Sequence, residues 1–189
     1  MRKLRALLFD LDGTLVDSER ANHTAYARAL LEAGAQIQPD DVARAAGGRQ
    51  WRDFLPALLR EAGVEGDPAA IARRKGELYR EMVGQLRVNS ALLSLAESVR
   101  PVLRTVLVTT ASAESVQAIL RHFDLVSTFD LVITGDDVTR HKPDPEAYRL
   151  ALARLRVDPR ECLAFEDSDV GIAGARAAGV PVVRVTFAE

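Results

Sequence analysis

From residue 105 onward the chain alternates between two kinds of segment, short aliphatic runs and stretches whose apolar residues recur at helical spacing. Thr105-Val106-Leu107-Val108-Thr109-Thr110, Leu131 to Thr134, Cys162 to Phe165 and Val182 to Val185 read as buried strands, rich in β-branched and aliphatic residues. Between them, Val116, Ile119, Leu120 and Phe123, then Tyr148, Ala151, Leu152 and Leu155, mark amphipathic helices. A small-residue helix from about Asp169 to Ala178 ends at Gly179, and residues 4 to 10 supply one more strand near the start. Strands alternating with helices predict a parallel sheet covered by helices on both faces. Such sheets bind their ligands outside the carboxyl ends of the strands.

The segment between residues 18 and 86 carries no strand pattern. Ser18 is a candidate N-cap, Tyr26, Ala29, Leu30 and Ala33 follow at i, i+3, i+4 and i+7, and Gly34 closes the stretch. Phe54, Leu55, Leu58, Leu59 and Ala62 form a second stripe ended by Gly63. Pro68 opens a third helix whose inner face holds Ile71, Leu78, Tyr79, Met82 and Val83. A helix near residues 90 to 99 then leads back into the strands. The expected architecture is α/β, with a parallel-sheet core built from residues 1–16 and 87–189 and an all-helical insert at 17–86.

Polar residues end the predicted strands. The first delivers Asp10 and Asp12, the second Thr110, and a later one Glu166 and Asp167, while Lys142 sits in the loop His141-Lys142-Pro143-Asp144-Pro145. Each has an ordinary structural explanation taken alone. The two aspartates could be turn residues before Gly13, Thr110 a helix cap, Lys142 a solvated charge, and Glu166-Asp167-Ser168 a helix start. Their joint occurrence at successive strand ends is what those explanations leave out. A parallel sheet would gather them in one crevice, and several carboxylates with one lysine and one hydroxyl suit a hard divalent cation and an anionic oxygen ligand. Lysine is scarce here: Lys3, Lys75 and Lys142 are the three among 25 basic residues. A compact point charge fits a crowded metal-phosphate site better than a planar guanidinium.

The segment Leu8-Phe9-Asp10-Leu11-Asp12-Gly13-Thr14-Leu15-Val16-Asp17 resembles the first motif of the haloacid dehalogenase-like hydrolase superfamily. Thr110-Ala111-Ser112 resembles its second motif, Lys142-Pro143-Asp144-Pro145 its third, and Phe165-Glu166-Asp167-Ser168 with Gly171 its fourth. The insert resembles the helical cap of the subfamily that contains β-phosphoglucomutase and phosphoglycolate phosphatase. The resemblance implies a Rossmann-like core and a Mg2+-dependent phosphatase of small phosphorylated metabolites. It makes Asp10 the nucleophile that becomes an aspartyl-phosphate and Asp12 the general acid/base. Thr110 and Lys142 become phosphoryl-binding residues, with Lys142 also offsetting charge around Asp10, and the metal falls to Asp10, the Asp12 carbonyl, Asp167 and, directly or through water, Glu166. Dehalogenases of the superfamily lack the second aspartate, so Asp12 favours phosphate-ester chemistry. In the insert, His23, Arg49, Trp51 and Arg52 are candidate substrate-selecting residues, although His23 and Arg52 also read as surface residues and Trp51 as core packing. A sugar phosphomutase on the same core is the nearest alternative, and a non-catalytic phosphate-binding or signalling module is a more distant one.

Composition excludes other classes. A net charge of -2 provides no general attraction to nucleic acid or to an anionic membrane. The single cysteine, Cys162, rules out an internal disulfide and reads as a small core side chain. The apolar run before Asp10 is too short for a signal core or a membrane span. A cytoplasmic monomer or weak dimer is the expectation.

Overall fold

The computed structural model describes residues 3–46 and 51–187, so Gly47, Gly48 and Arg49 lie outside the described residues. The chain divides into two compact units, one formed by Met1–Asp17 with Arg87–Glu189 and the other by Ser18–Leu86. The first is built on a five-stranded sheet in the order β5 (Leu131–Ile133), β4 (Arg104–Val108), β1 (Ala6–Phe9), β6 (Cys162–Glu166), β7 (Val182–Arg184). Every pairing is parallel. The helices of this unit are α5 (Ser90–Val99), α6 (Ala113–His122), α7 (Glu146–Leu155) and α8 (Asp169–Ala177). The α/β fold expected from the alternating pattern is therefore the observed one.

Register explains how this sheet positions its polar ends. Phe9 pairs with Leu107 on one side and with Phe165 on the other. Asp10, Val108 and Glu166, one step further along three neighbouring strands, consequently share a rank. Side chains alternate between the faces of a strand, so equal steps in parallel strands keep to one face. That face is defined by the core in which Ala6, Leu8, Val106, Val108, Cys162 and Ala164 pack with Ala147, Tyr148, Ala151 and Leu152 of α7. Phe9 takes the other face, with its ring stacked 5.1 Å from Phe165 and edge-on to Phe129 at 6.2 Å.

A short antiparallel ribbon, β2 (Val16–Asp17) against β3 (Arg87–Val88), joins the two crossings into and out of the insert. Asn89 completes it: its backbone N–H donates to the Leu15 carbonyl (2.8 Å) and its side-chain amide to the Thr14 carbonyl (3.2 Å). The same side chain caps α5 by accepting from the Leu92 N–H.

The Ser18–Leu86 unit contains α1 (Glu19–Glu32), α2 (Pro39–Ala46), α3 (Trp51–Glu61) and α4 (Pro68–Glu81). Asp67 caps α4 by accepting from the Ala69 N–H, directly before the proline that opens it. Ser18 precedes α1, yet its side chain makes no capping bond. Helix α2 is not foreseen by apolar spacing, because only Val42 among its residues is buried and one residue makes no stripe. Among the described residues no helix is long and apolar enough to cross a membrane.

Candidate active site

Asp10 leaves β1 still tied to the sheet, its N–H donating to the Phe165 carbonyl at 3.0 Å. The chain then folds back tightly: Leu15 and Val16 both donate to the Leu11 carbonyl, at 2.9 Å each, and Gly13 donates to the Val16 carbonyl at 2.7 Å. Gly13 has a φ of +83°, and a Cβ there would come 2.1 Å from Asp167 Oδ2. The turn therefore needs glycine twice, for its left-handed backbone and for the close approach of Asp167. Buried Thr14 donates its hydroxyl to Asp167 Oδ1 at 3.4 Å. Asp12, half-buried in this turn, is bridged to Val16 through the backbone.

Lys142 comes from the loop between β5 and α7 and joins the rank set by the sheet. Its Nζ donates to Asp10 Oδ1 (2.6 Å), to Glu166 Oε1 (2.6 Å) and to the Val108 carbonyl (2.9 Å). All three donors of the ammonium thus have acceptors on three adjacent strands. The resemblance assigns this lysine both to the phosphoryl oxygens and to the charge around Asp10, and its contact with Asp10 is in place. The loop is braced by Glu146, which accepts from the N–H groups of Thr139 and Arg140 at 2.9 and 3.1 Å, and by Asp144, which accepts from the Glu146 N–H at 2.9 Å. The peptide bond from Lys142 to Pro143 is cis.

Glu166 is fully buried. Its Oε1 accepts from Lys142 and from the Tyr148 hydroxyl, whereas Oε2 has no partner among the described residues. A Cβ at Gly171 would lie 1.9 Å from that Oε2, so the first turn of α8 is glycine to make room for the carboxylate. Asp10, Glu166 and Asp167 each offer a carboxylate oxygen, all within 4.8 Å of one another. Three carboxylates offering oxygen donors at that spacing are a donor set that fits a hard divalent cation.

Electrostatics follow from this crowding. Burial, then the Glu166 charge, push the Asp10 carboxyl well above its ordinary range, with Asp12 adding to the push and Lys142 opposing it. Asp167 is raised by burial and by Glu166. Burial alone would lower the Lys142 ammonium, but Asp10 and Glu166 outweigh it and hold the group protonated. Tyr148 is raised far above the usual phenol value, by burial first, and remains a hydroxyl.

Thr110 lies two residues past the end of β4, half-buried in a bend rather than in the strand. It does not cap α6. Ser112 does, accepting from the Ser115 N–H. The bend is held against the turn after β5, where Gly135 donates to the Ala111 carbonyl at 2.8 Å and Asp136 accepts from the Ala113 N–H at 2.8 Å.

The remaining candidates belong to the helical unit. His23 sits on α1, partly buried, and burial lowers its imidazole from the usual value. Arg52 on α3 is exposed, with its guanidinium 4.4 Å above the Trp51 ring. Arg49 lies outside the described residues. Sequence reasoning passed over Lys75, which bonds to Asn22 and lies over the rings of Tyr26 (5.0 Å) and Tyr79 (4.7 Å). It also passed over the hydroxyl of Tyr148, read only as part of an apolar stripe; a tyrosine where phenylalanine would fill the core equally well was the available signal.

A parallel α/β core that ends its central strands in a carboxylate cluster with a buried lysine is suited to binding a divalent cation and an anionic oxygen ligand. Comparison with known proteins gives the class its name. The family model for haloacid dehalogenase-like hydrolases matches residues 4–179. The chain is 34% identical over 180 residues to fructose-1-phosphate phosphatase YqaB of Escherichia coli K12, covering 95% of each protein. It is 31% identical over 179 residues to a phosphorylated carbohydrates phosphatase of Thermotoga maritima, covering 94% of this chain and 82% of that protein. The crystal structure of CbbY from Rhodobacter sphaeroides in complex with phosphate superposes with a TM-score of 0.84 at 29% identity, covering 97% of this chain and 87% of that one. The chain belongs to the haloacid dehalogenase-like hydrolase family.

Proposed function

We propose that this hydrolase is a Mg2+-dependent phosphatase of small phosphorylated sugars that works through an aspartyl-phosphate on Asp10. The observation that carries the reading is the rank of Asp10, Val108 and Glu166 at the carboxyl ends of three adjacent strands, bridged by Lys142. Asp10 attacks phosphorus in line, the ester oxygen leaves, and a second attack by water on the acyl phosphate releases phosphate and restores the carboxylate. Asp12 gives a proton to the leaving oxygen and takes one from the water. Lys142 offsets the charge around Asp10 and orients its carboxylate, and Thr110 donates to a phosphoryl oxygen. Asp10, Asp167, the Asp12 carbonyl and Glu166 would hold Mg2+, which when bound offsets the repulsion between carboxylate and phosphate, roughly 4 kcal/mol for unit charges at 4 Å and an effective dielectric near 20.

Substrate choice we assign to the helical unit, with His23 and Arg52 as its named candidates. Sugar phosphates are favoured because the relatives above are named for fructose 1-phosphate and for phosphorylated carbohydrates. Phosphate release from a panel of sugar phosphates, headed by fructose 1-phosphate, tests the reading with and without Mg2+. Full activity in Asp10→Asn would refute the nucleophile. Isomerisation of a sugar phosphate primed by its bisphosphate, with little phosphate released, would select the phosphomutase instead.

A further inference from the structure

We propose that Tyr148 is a positioning residue of this site: its hydroxyl holds Glu166 so that Lys142 stays shared with Asp10. The inference rests on the reading of Asp10 as nucleophile. Tyr148 is buried in the α7 core, and its hydroxyl donates to Glu166 Oε1, the same oxygen that accepts from Lys142. The ammonium lies 5.4 Å above the Tyr148 ring, so one side chain meets both charges of the pair. Among the described residues Glu166 places all of its side-chain hydrogen bonding on Oε1, since the buried Oε2 has none.

A buried carboxylate with two donors divides its demand between them. Taking away the neutral donor leaves the ammonium to meet all of it. Lys142 is then drawn toward Glu166, at the expense of its 2.6 Å bond to Asp10. The ring is not what matters here. Phenylalanine would fill the same apolar space beside Ala147, Ala151 and Val108, and a buried hydroxyl is unfavourable there unless it is bonded. The hydroxyl sits where it does because the sheet register turns Glu166 toward α7, six residues after the lysine it helps to place.

The test is Tyr148→Phe, alone and combined with Glu166→Ala, in the full chain. The expected result is a kcat lower by about tenfold with KM within about twofold, the factor one hydrogen bond to a charged group is worth. Affinity for beryllofluoride with Mg2+, which reports the Asp10 carboxylate without turnover, falls by a similar factor. In the Glu166→Ala background the Tyr148→Phe change no longer lowers the melting temperature, because the hydroxyl has lost its acceptor. Unchanged kcat and beryllofluoride affinity in Tyr148→Phe, or an equal loss of melting temperature in both backgrounds, would overturn the proposal. Asp10→Asn run beside it separates the two readings. Activity surviving in that variant removes the nucleophile itself, whereas an inactive Asp10→Asn with a silent Tyr148→Phe removes only the positioning role.

Discussion

Replacing Lys142 by methionine removes one charge and little volume, and it isolates what the buried ammonium does. The lysine side chain is 4% exposed, with Asp10 at 9% and Glu166 at 0%, and it contacts each at 2.6 Å. At an effective dielectric near 20, each contact is a Coulomb attraction of roughly 6 kcal/mol, most of it offset by the desolvation of three charges. What the substitution exposes is the uncompensated remainder, two buried carboxylates facing each other. Breaking a buried pair in this way costs about 3–5 kcal/mol, which for a chain of this size lowers the melting temperature by about 10 °C.

The sign with pH follows. Lys142 is raised above its unfolded value, so its contribution is full below that value and is lost only as pH rises through the folded one, well outside the neutral range. Without the lysine, the already raised Asp10 carboxyl takes up a proton more readily, so the loss shrinks as pH falls. Thermal melts without metal at about pH 8 and pH 5.5 should show the larger deficit at the higher pH. Added Mg2+ should recover part of it, and phosphatase turnover should fall by about 100- to 1,000-fold. A methionine variant that melts within about 2 °C of the parent at pH 8 would refute the view that this charge holds the cluster together.

Two further substitutions probe the packing and the loop around the cluster. Gly171→Ala places a Cβ 1.9 Å from Glu166 Oε2; the clash should cost about 1–3 kcal/mol in chemical denaturation and vanish when Glu166 is also alanine. Glu146 is lowered to about 2, chiefly by the N–H bond from Thr139. Its contribution is present above its unfolded value and is lost as pH falls toward the folded one, so acid melts of Glu146→Gln should show a smaller decline below about pH 4.5 than the parent.

The parts that depend on neighbours along the chain were legible in advance. Strand runs such as Val106-Leu107-Val108, the glycine-ended helices, and the alternation that demands a parallel sheet are local patterns, and they led to the observed α/β fold. Asp10, Lys142, Glu166 and Asp167 were found as a group because parallel strands carry their ends to one side. Local pattern failed where local signal was thin. Helix α2 buries Val42 alone, and Tyr148 looked like one more apolar position in a helix.

What only the tertiary structure decided was which atoms meet. That Lys142 spends its donors on Asp10, Glu166 and Val108 follows from strand register, a relation among residues up to 132 positions apart. The same register turns Glu166 onto the face where α7 waits with a hydroxyl. Periodicity along a chain determines which side of a strand a residue occupies; the step at which one strand aligns with the next is set by the packing of the whole core, and no local stretch contains it.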